Sequence, residues 1–88
     1  MKKIIEDNYN SIVKRGLITP QTKKVDFVSK LIEEVNEFIY DFNTDSSTKG
    51  EELSDVILVC LNIAKHYNID IEKELNKKIK KNYERASI

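Results

Sequence analysis

Two short acidic motifs hold the residues best suited to chemistry: Glu33-Glu34-Val35-Asn36-Glu37 and, after a polar gap, Glu52-Leu53-Ser54-Asp55. They read E-E-x-x-E and E-x-x-D. Within each, two carboxylates stand three residues apart, so on a helix both project from one side. Two such helices face to face bring Glu34, Glu37, Glu52 and Asp55 together. At neutral pH four carboxylates repel one another unless a cation sits among them. An all-oxygen donor set favours a hard ion, Mg²⁺ or Mn²⁺. Glutamates on helices are ordinarily solvated, and one E-x-x-E alone carries little weight. Here two acidic pairs lie on consecutive helices, each at the edge of a strong apolar stripe. The short connection makes those helices antiparallel neighbours. The residues alone therefore point to a small helical bundle with a magnesium site.

A second constellation is cationic. Lys78, Asn82 and Arg85 fall at i, i+4 and i+7, within about 60° of one another on a wheel of 3.6 residues per turn. A basic face on a terminal helix is usually just solvated, and it suits the negative end of the helix dipole. Beside a carboxylate-bound metal, the same cations would offset phosphate charge, a recurring arrangement in phosphoryl chemistry. Lys30, one turn before Glu34, is expected to form an intrahelical ion pair with it. His66 is the only histidine. It reads as a surface or helix-end residue: no nucleophilic triad is recognisable, and the E-x-x-H pairs of a di-iron bundle are missing.

The elements that must position these groups are four helices. The first runs roughly from Lys3 to Arg15, with Ile5, Tyr9, Ile12 and Val13 as its stripe and Gly16 as its stop. Thr19-Pro20 fits an N-cap followed by a first-turn proline, with Thr22 as the other cap. The second helix spans about Lys23 to Phe42. Its apolar face is Val25, Val28, Leu31, Ile32, Val35, Phe38, Ile39 and Phe42, with Glu34 and Asp41 at the edge. Asn43 to Lys49 is a polar loop. Thr48 and Glu51 form a T-x-x-E capping box that starts the third helix, which runs to about His66. That helix is apolar nearly all round, so it should be buried on more than one side. A homo-oligomer, dimer or tetramer, follows, with Leu58 or Leu61 facing the partner. Asn62 and His66 share the Asp55 side. Asp70 caps the last helix, Ile71 to about Arg85, in which Ile71, Leu75, Ile79 and Tyr83 are expected to pack inward.

Composition agrees with one soluble all-α domain over residues 1–88. The chain is 40% apolar and 34% charged, with two glycines and one proline. Fifteen basic and fifteen acidic residues cancel, so no net field recruits nucleic acid or an anionic membrane. No aromatic residues interleave the basic stripe in a nucleic-acid-binding pattern. Cys60 is the only cysteine, which excludes an internal disulfide and a thiolate cluster; a packed, reduced thiol is expected. The longest apolar run, Val56 to Ala64, is far below the ~20 residues of a membrane span, and the cytoplasm is the expected compartment.

The segments KLIEEVNEF, EELSDVILVCLNIA and KIKKNYER resemble the MazG-like all-α nucleotide pyrophosphohydrolases over about Thr19 to Arg85. The resemblance implies a four-helix bundle-like fold assembled as a dimer or tetramer. It implies hydrolysis of a nucleoside triphosphate between its α- and β-phosphates, giving a monophosphate and pyrophosphate. It implies Mg²⁺ held by Glu34, Glu37, Glu52 and Asp55, and phosphate binding by Lys78, Asn82 and Arg85. Glu33 matches the first glutamate of the family motif but is turned away from Glu34 by ~100°. The base would lie between apolar or aromatic side chains of the first two helices, such as Phe27 or Tyr9. The chain departs from the family at Asn36, where relatives often carry a small residue. Being near the family's minimum length, it is expected to borrow part of each site from a neighbouring subunit. Two alternatives stand beside this reading. Phosphoribosyl-ATP hydrolysis ranks low, because relatives with that role usually carry a histidine soon after the aspartate, where Val56-Ile57-Leu58-Val59 stands. A non-catalytic helical module is opposed by the intact acids, which nothing structural demands.

Overall fold

The computed structural model describes residues 1–44 and 47–86. It contains α1 (Lys2–Lys14), α2 (Lys24–Asn43), α3 (Lys49–His66) and α4 (Ile71–Ala86), with no strand among the described residues. Each boundary has a local cause. Gly16, at φ +76°, ends α1 in a Schellman turn: Gly16 N–H donates to the Val13 carbonyl (2.9 Å) and Leu17 N–H to that of Ile12 (3.2 Å). Asn68, at φ +55°, ends α3 the same way, with Ile69 N–H donating to the Ala64 carbonyl at 2.8 Å. Asp70 caps α4 as expected, its Oδ1 accepting from Lys73 N–H at 3.2 Å.

Two caps differ from expectation. Thr19 and Thr22 bond to each other in a turn of their own, Thr19 N–H to Thr22 Oγ1 at 2.8 Å. Lys23 takes the N-cap position of α2, its N–H donating to Asp26 Oδ2 at 3.1 Å. Thr48 does precede α3, but its hydroxyl makes no bond to the helix's own amides. It donates instead to Asp41 Oδ2 on α2, at 2.6 Å. The polar loop foreseen over Asn43 to Lys49 shortens to 44–48, of which Asp45 and Ser46 lie outside the described residues.

The central element is α3, which packs against both α2 and α1. The core between them is Ile18, Phe27, Val59, Leu61 and Ala64. By contrast, α4 packs against none of the other helices to a comparable extent. Leu75, Ile79 and Tyr83 are 42%, 51% and 73% exposed, so the inward packing expected of them does not occur within one chain. With α4 standing clear, the radius of gyration is 15.1 Å, against about 12 Å for a compact chain of this length.

Two further expectations are corrected by where side chains lie. Leu61 is 4% exposed and belongs to the core, and Leu58 is half-buried; the outward apolar residues of α3 are Leu53 and Ile57. Cys60 is a free thiol and exposed rather than packed. The reason is helical arithmetic: α3 is apolar all round, and α1 and α2 cover only part of it. On α2, Val25, Val28, Ile32, Ile39 and Phe42 are likewise exposed. With half-buried Val35 they make an alternating three- and four-residue spacing, the pattern of a helix–helix seam. Among the described residues, no helix is long and apolar enough to cross a membrane.

Candidate metal centre and adjoining cavity

The acidic residues of α2 and the opening turns of α3 meet where the two helices pack. Carboxylate oxygens of Glu34, Glu52 and Asp55 lie within 4.8 Å of one another, and those of Glu33, Glu34 and Glu37 form a second such set. Glu34 is the shared member and the most buried, 7% exposed. Glu37 thus joins the group through Glu34, and Glu33 lies closer to it than the helical wheel indicates. The Thr48–Asp41 bond ties the end of α2 to the start of α3 and so sets the two acidic rows in register. Glu51 and Glu52, in the first turn of α3, also gain from the positive end of its dipole.

Charge in this cluster is only partly compensated. Lys30 Nζ lies 2.9 Å from Glu34 Oε1 and 3.6 Å from Glu33 Oε2, the intrahelical pairing that the spacing predicts. The hydrogen bond to Glu34 holds the Lys30 ammonium above its usual range against the opposing effect of burial. Glu34 Oε2 and Glu52 Oε2 are shut away from solvent with no hydrogen-bond partner among the described residues. Buried anionic oxygens without partners are costly and rare. Loss of solvation pushes the Glu52 carboxyl above its usual range, and the neighbouring charges of Asp41, Glu37, Asp55 and Glu34 push it further. Two orphaned oxygens of hard, all-oxygen type fit a divalent cation such as Mg²⁺ or Mn²⁺.

A cavity of about 420 Å³ opens beside these acids, lined by α1, α2, α3 and the segment after α1. Its volume lies in the ordinary range for a small-molecule site. Lys30, Glu34 and Asp55 form one end. Phe27, Leu58, Val59 and Ile18 give apolar walls, and Asn8 and Asn62 give a polar patch. Phe27 is therefore part of the cavity, whereas Tyr9 is not: its hydroxyl bonds to His66 Nδ1 at 2.9 Å. His66 is the last residue of α3, the helix-end position expected of it, but it is not a surface residue and does not line the cavity. It is half-buried, 4.7 Å from the Phe27 ring and 5.0 Å from that of Tyr67, centroid to centroid.

The cationic stripe is not brought to the acids within one chain. Lys78, Asn82 and Arg85 are exposed on α4, and none lines the cavity. Lys30 and Arg15 are the cations there instead. Arg15 carries no motif in the sequence; its only signal is its place just before the Gly16 turn. Asn36, the departure from the family pattern, is exposed on α2.

Comparison with protein families matches residues 23–87 to the MazG nucleotide pyrophosphohydrolase domain. Comparison with curated proteins and with solved structures gives no match. The matched span contains both acidic motifs and the whole of α2, α3 and α4. With two acidic helices packed as described beside an adjoining cavity, this chain belongs to the MazG nucleotide pyrophosphohydrolase family.

Proposed function

We propose that this chain is a Mg²⁺-dependent nucleoside triphosphate pyrophosphohydrolase of the cytoplasm. It would cleave between the α- and β-phosphates to give a nucleoside monophosphate and pyrophosphate, with Mn²⁺ able to replace Mg²⁺. One observation carries the reading: Glu34, Glu52 and Asp55 converge beside a ligand-sized cavity that Glu34 and Asp55 line, with two buried oxygens that have no hydrogen-bond partner among the described residues. Glu34, Glu52 and Asp55, with Glu37 beside them, would hold the ion. When bound, such an ion supplies positive charge to the reacting phosphate oxygens and to water. A carboxylate of the cluster accepts the proton of the attacking water. Lys30 offsets the charge of Glu34, and Arg15 stands on the cavity wall to meet an anionic group.

Phosphate binding by Lys78, Asn82 and Arg85 is assigned to a second copy of the chain. Support comes from α4, whose apolar residues are exposed, and from the outward seam of α2. A homodimer or homotetramer that covers these faces would place the α4 of one subunit near the acids of another.

The experiment is pyrophosphate release from a panel of canonical and modified nucleoside triphosphates, with Mg²⁺ and with EDTA. Metal-dependent release that is lost in Glu37→Gln, with helicity unchanged, supports the proposal. Silence across the panel in folded, oligomeric protein defeats it. Mixing two inactive variants, Glu52→Gln and Lys78→Ala, tests the shared site. Regained activity shows that the two residues act from different subunits, and none shows that they do not.

A further inference from the structure

Asn62 is a polar residue in an apolar setting. It lies on α3 between the core residues Leu61 and Ala64 and is 7% exposed. Its partner is Asn8 on α1, whose Nδ2 donates to Asn62 Oδ1 at 2.8 Å and to the Leu58 carbonyl at 3.4 Å. A backbone carbonyl can only accept, so this second bond fixes which end of the Asn8 amide is the nitrogen. Asn62 must then present its oxygen to Asn8 and its Nδ2 elsewhere. Among the described residues, Nδ2 of Asn62 and Oδ1 of Asn8 have no partner. Both residues line the cavity. Asn62 stands seven residues after Asp55, about 10 Å farther along α3, and the walls around it are Phe27, Leu58 and Val59. The cavity also carries charged residues, Arg15 and Lys30 among them, but the part formed by Asn62, Asn8 and these apolar side chains, with one fixed donor and one fixed acceptor, does not suit a phosphate. It suits a flat heterocycle with a hydrogen-bonding edge.

Resting on the nucleotide reading above, we infer that Asn62 is the residue that reads the nucleobase, and that Asn8 is a positioning residue that holds it in one orientation. The preferred base presents an acceptor to Asn62 Nδ2 and a donor to Asn8 Oδ1. Selection of this kind discriminates sharply, because a base with the wrong edge leaves buried polar atoms unpaired.

The test is kcat and KM for UTP, CTP, ATP and GTP with the full chain and three variants. Asn62→Leu is expected to raise KM for the preferred base about tenfold or more, with kcat little changed, and to draw the four bases toward parity. Asn62→Asp, which puts an acceptor where the donor stood, is expected to change the order of preference. Asn8→Asp lies at a half-exposed position and cannot donate to Asn62. It should loosen the preference while leaving the fold intact, which keeps the test open if the Asn62 variants do not fold. Equal use of all four bases by the unmodified protein overturns the inference. So does an order of preference that survives Asn8→Asp and both Asn62 variants. If no base is hydrolysed, it is the proposed function that fails. NMR titration with free nucleosides then decides the role of Asn62 alone, base-independent or absent binding counting against it.

Discussion

The α2–α3 pair and α4 are made of similar material and have opposite fates. Both carry apolar residues at helical spacing and charged residues on the remaining face. In the pair, packing forces acids inward, so that Glu34 is buried and two carboxylate oxygens have no hydrogen-bond partner among the described residues. In α4 no residue is buried, and Leu75, Ile79 and Tyr83 face solvent. The acidic cluster is therefore assembled by one chain, while the proposed phosphate-binding stripe is displayed on a helix with little to hold it. An amphipathic helix draws most of its stability from what it packs against. The acidic end should thus survive dilution of the protein, and the contribution of α4 should not.

The widest separation between the two regions is expected in activity. Glu52→Gln should lower kcat by about 10²-fold or more, the scale of losing a transition-state charge stabiliser. Leu75→Asp with Ile79→Asp should lower activity and apparent mass together, if α4 works across a subunit boundary. Pyrophosphate release and light scattering at several protein concentrations read both. An unchanged mass with full activity would place the function of α4 elsewhere.

In stability the contrast reverses. Leu61→Ala, inside the core, should cost about 2–5 kcal/mol, whereas Leu75→Ala in the monomer should stay within about 0.5 kcal/mol. Urea denaturation at low protein concentration measures the difference. Equal losses would mean that α4 is packed in solution.

A subtler difference concerns acid. The Glu52 carboxyl is held above its usual range by burial and neighbouring acids. Its folded-state pKa therefore exceeds the unfolded one, and ionising it costs the fold more than the unfolded chain. That penalty is absent below the unfolded pKa and grows as the pH rises through the folded one. Metal-free Glu52→Gln should accordingly melt at a higher temperature than the unmodified protein at neutral pH, with the gap closing in acid. Added Mg²⁺ should raise the melting temperature of the unmodified protein and not of the variant. The smallest effect belongs to the surface. Lys3→Ala removes an exposed 2.7 Å ion pair with Asp7 and should change stability by less than about 0.5 kcal/mol.

The helices, both acidic motifs and the Lys30–Glu34 pair could be read from the chain because each depends on residues within one or two turns. What could not be read depends on which of two equivalent surfaces meets a neighbour. The apolar residues of α2 form a broad arc, and spacing treats Leu31 and Ile32 alike. Only the arrival of α3 makes the Phe27–Glu34 side inner and the Val28–Ile32 side outer. The same holds for Leu61 against Ile57, and for an α4 that spacing alone would fold inward. Thr48 gave the right boundary for the wrong reason, since its hydroxyl reaches a residue seven positions earlier on another helix. The pairing of Asn8 with Asn62 spans fifty-four positions and leaves no local trace.

The short connection at 44–48, pinned by Thr48 to Asp41, acts as a ruler. A residue added to α3 between the connection and the acids advances them by about 1.5 Å and turns them by about 100° relative to α2. Glu52 and Asp55 would then sweep away from Glu34 while every side chain stayed the same. The anchor of this link is Thr48, tied to Asp41. From there to Glu52 and Asp55 the helix allows no slack, so the spacing of the two acidic rows is written in the first turn of α3 as a count of residues.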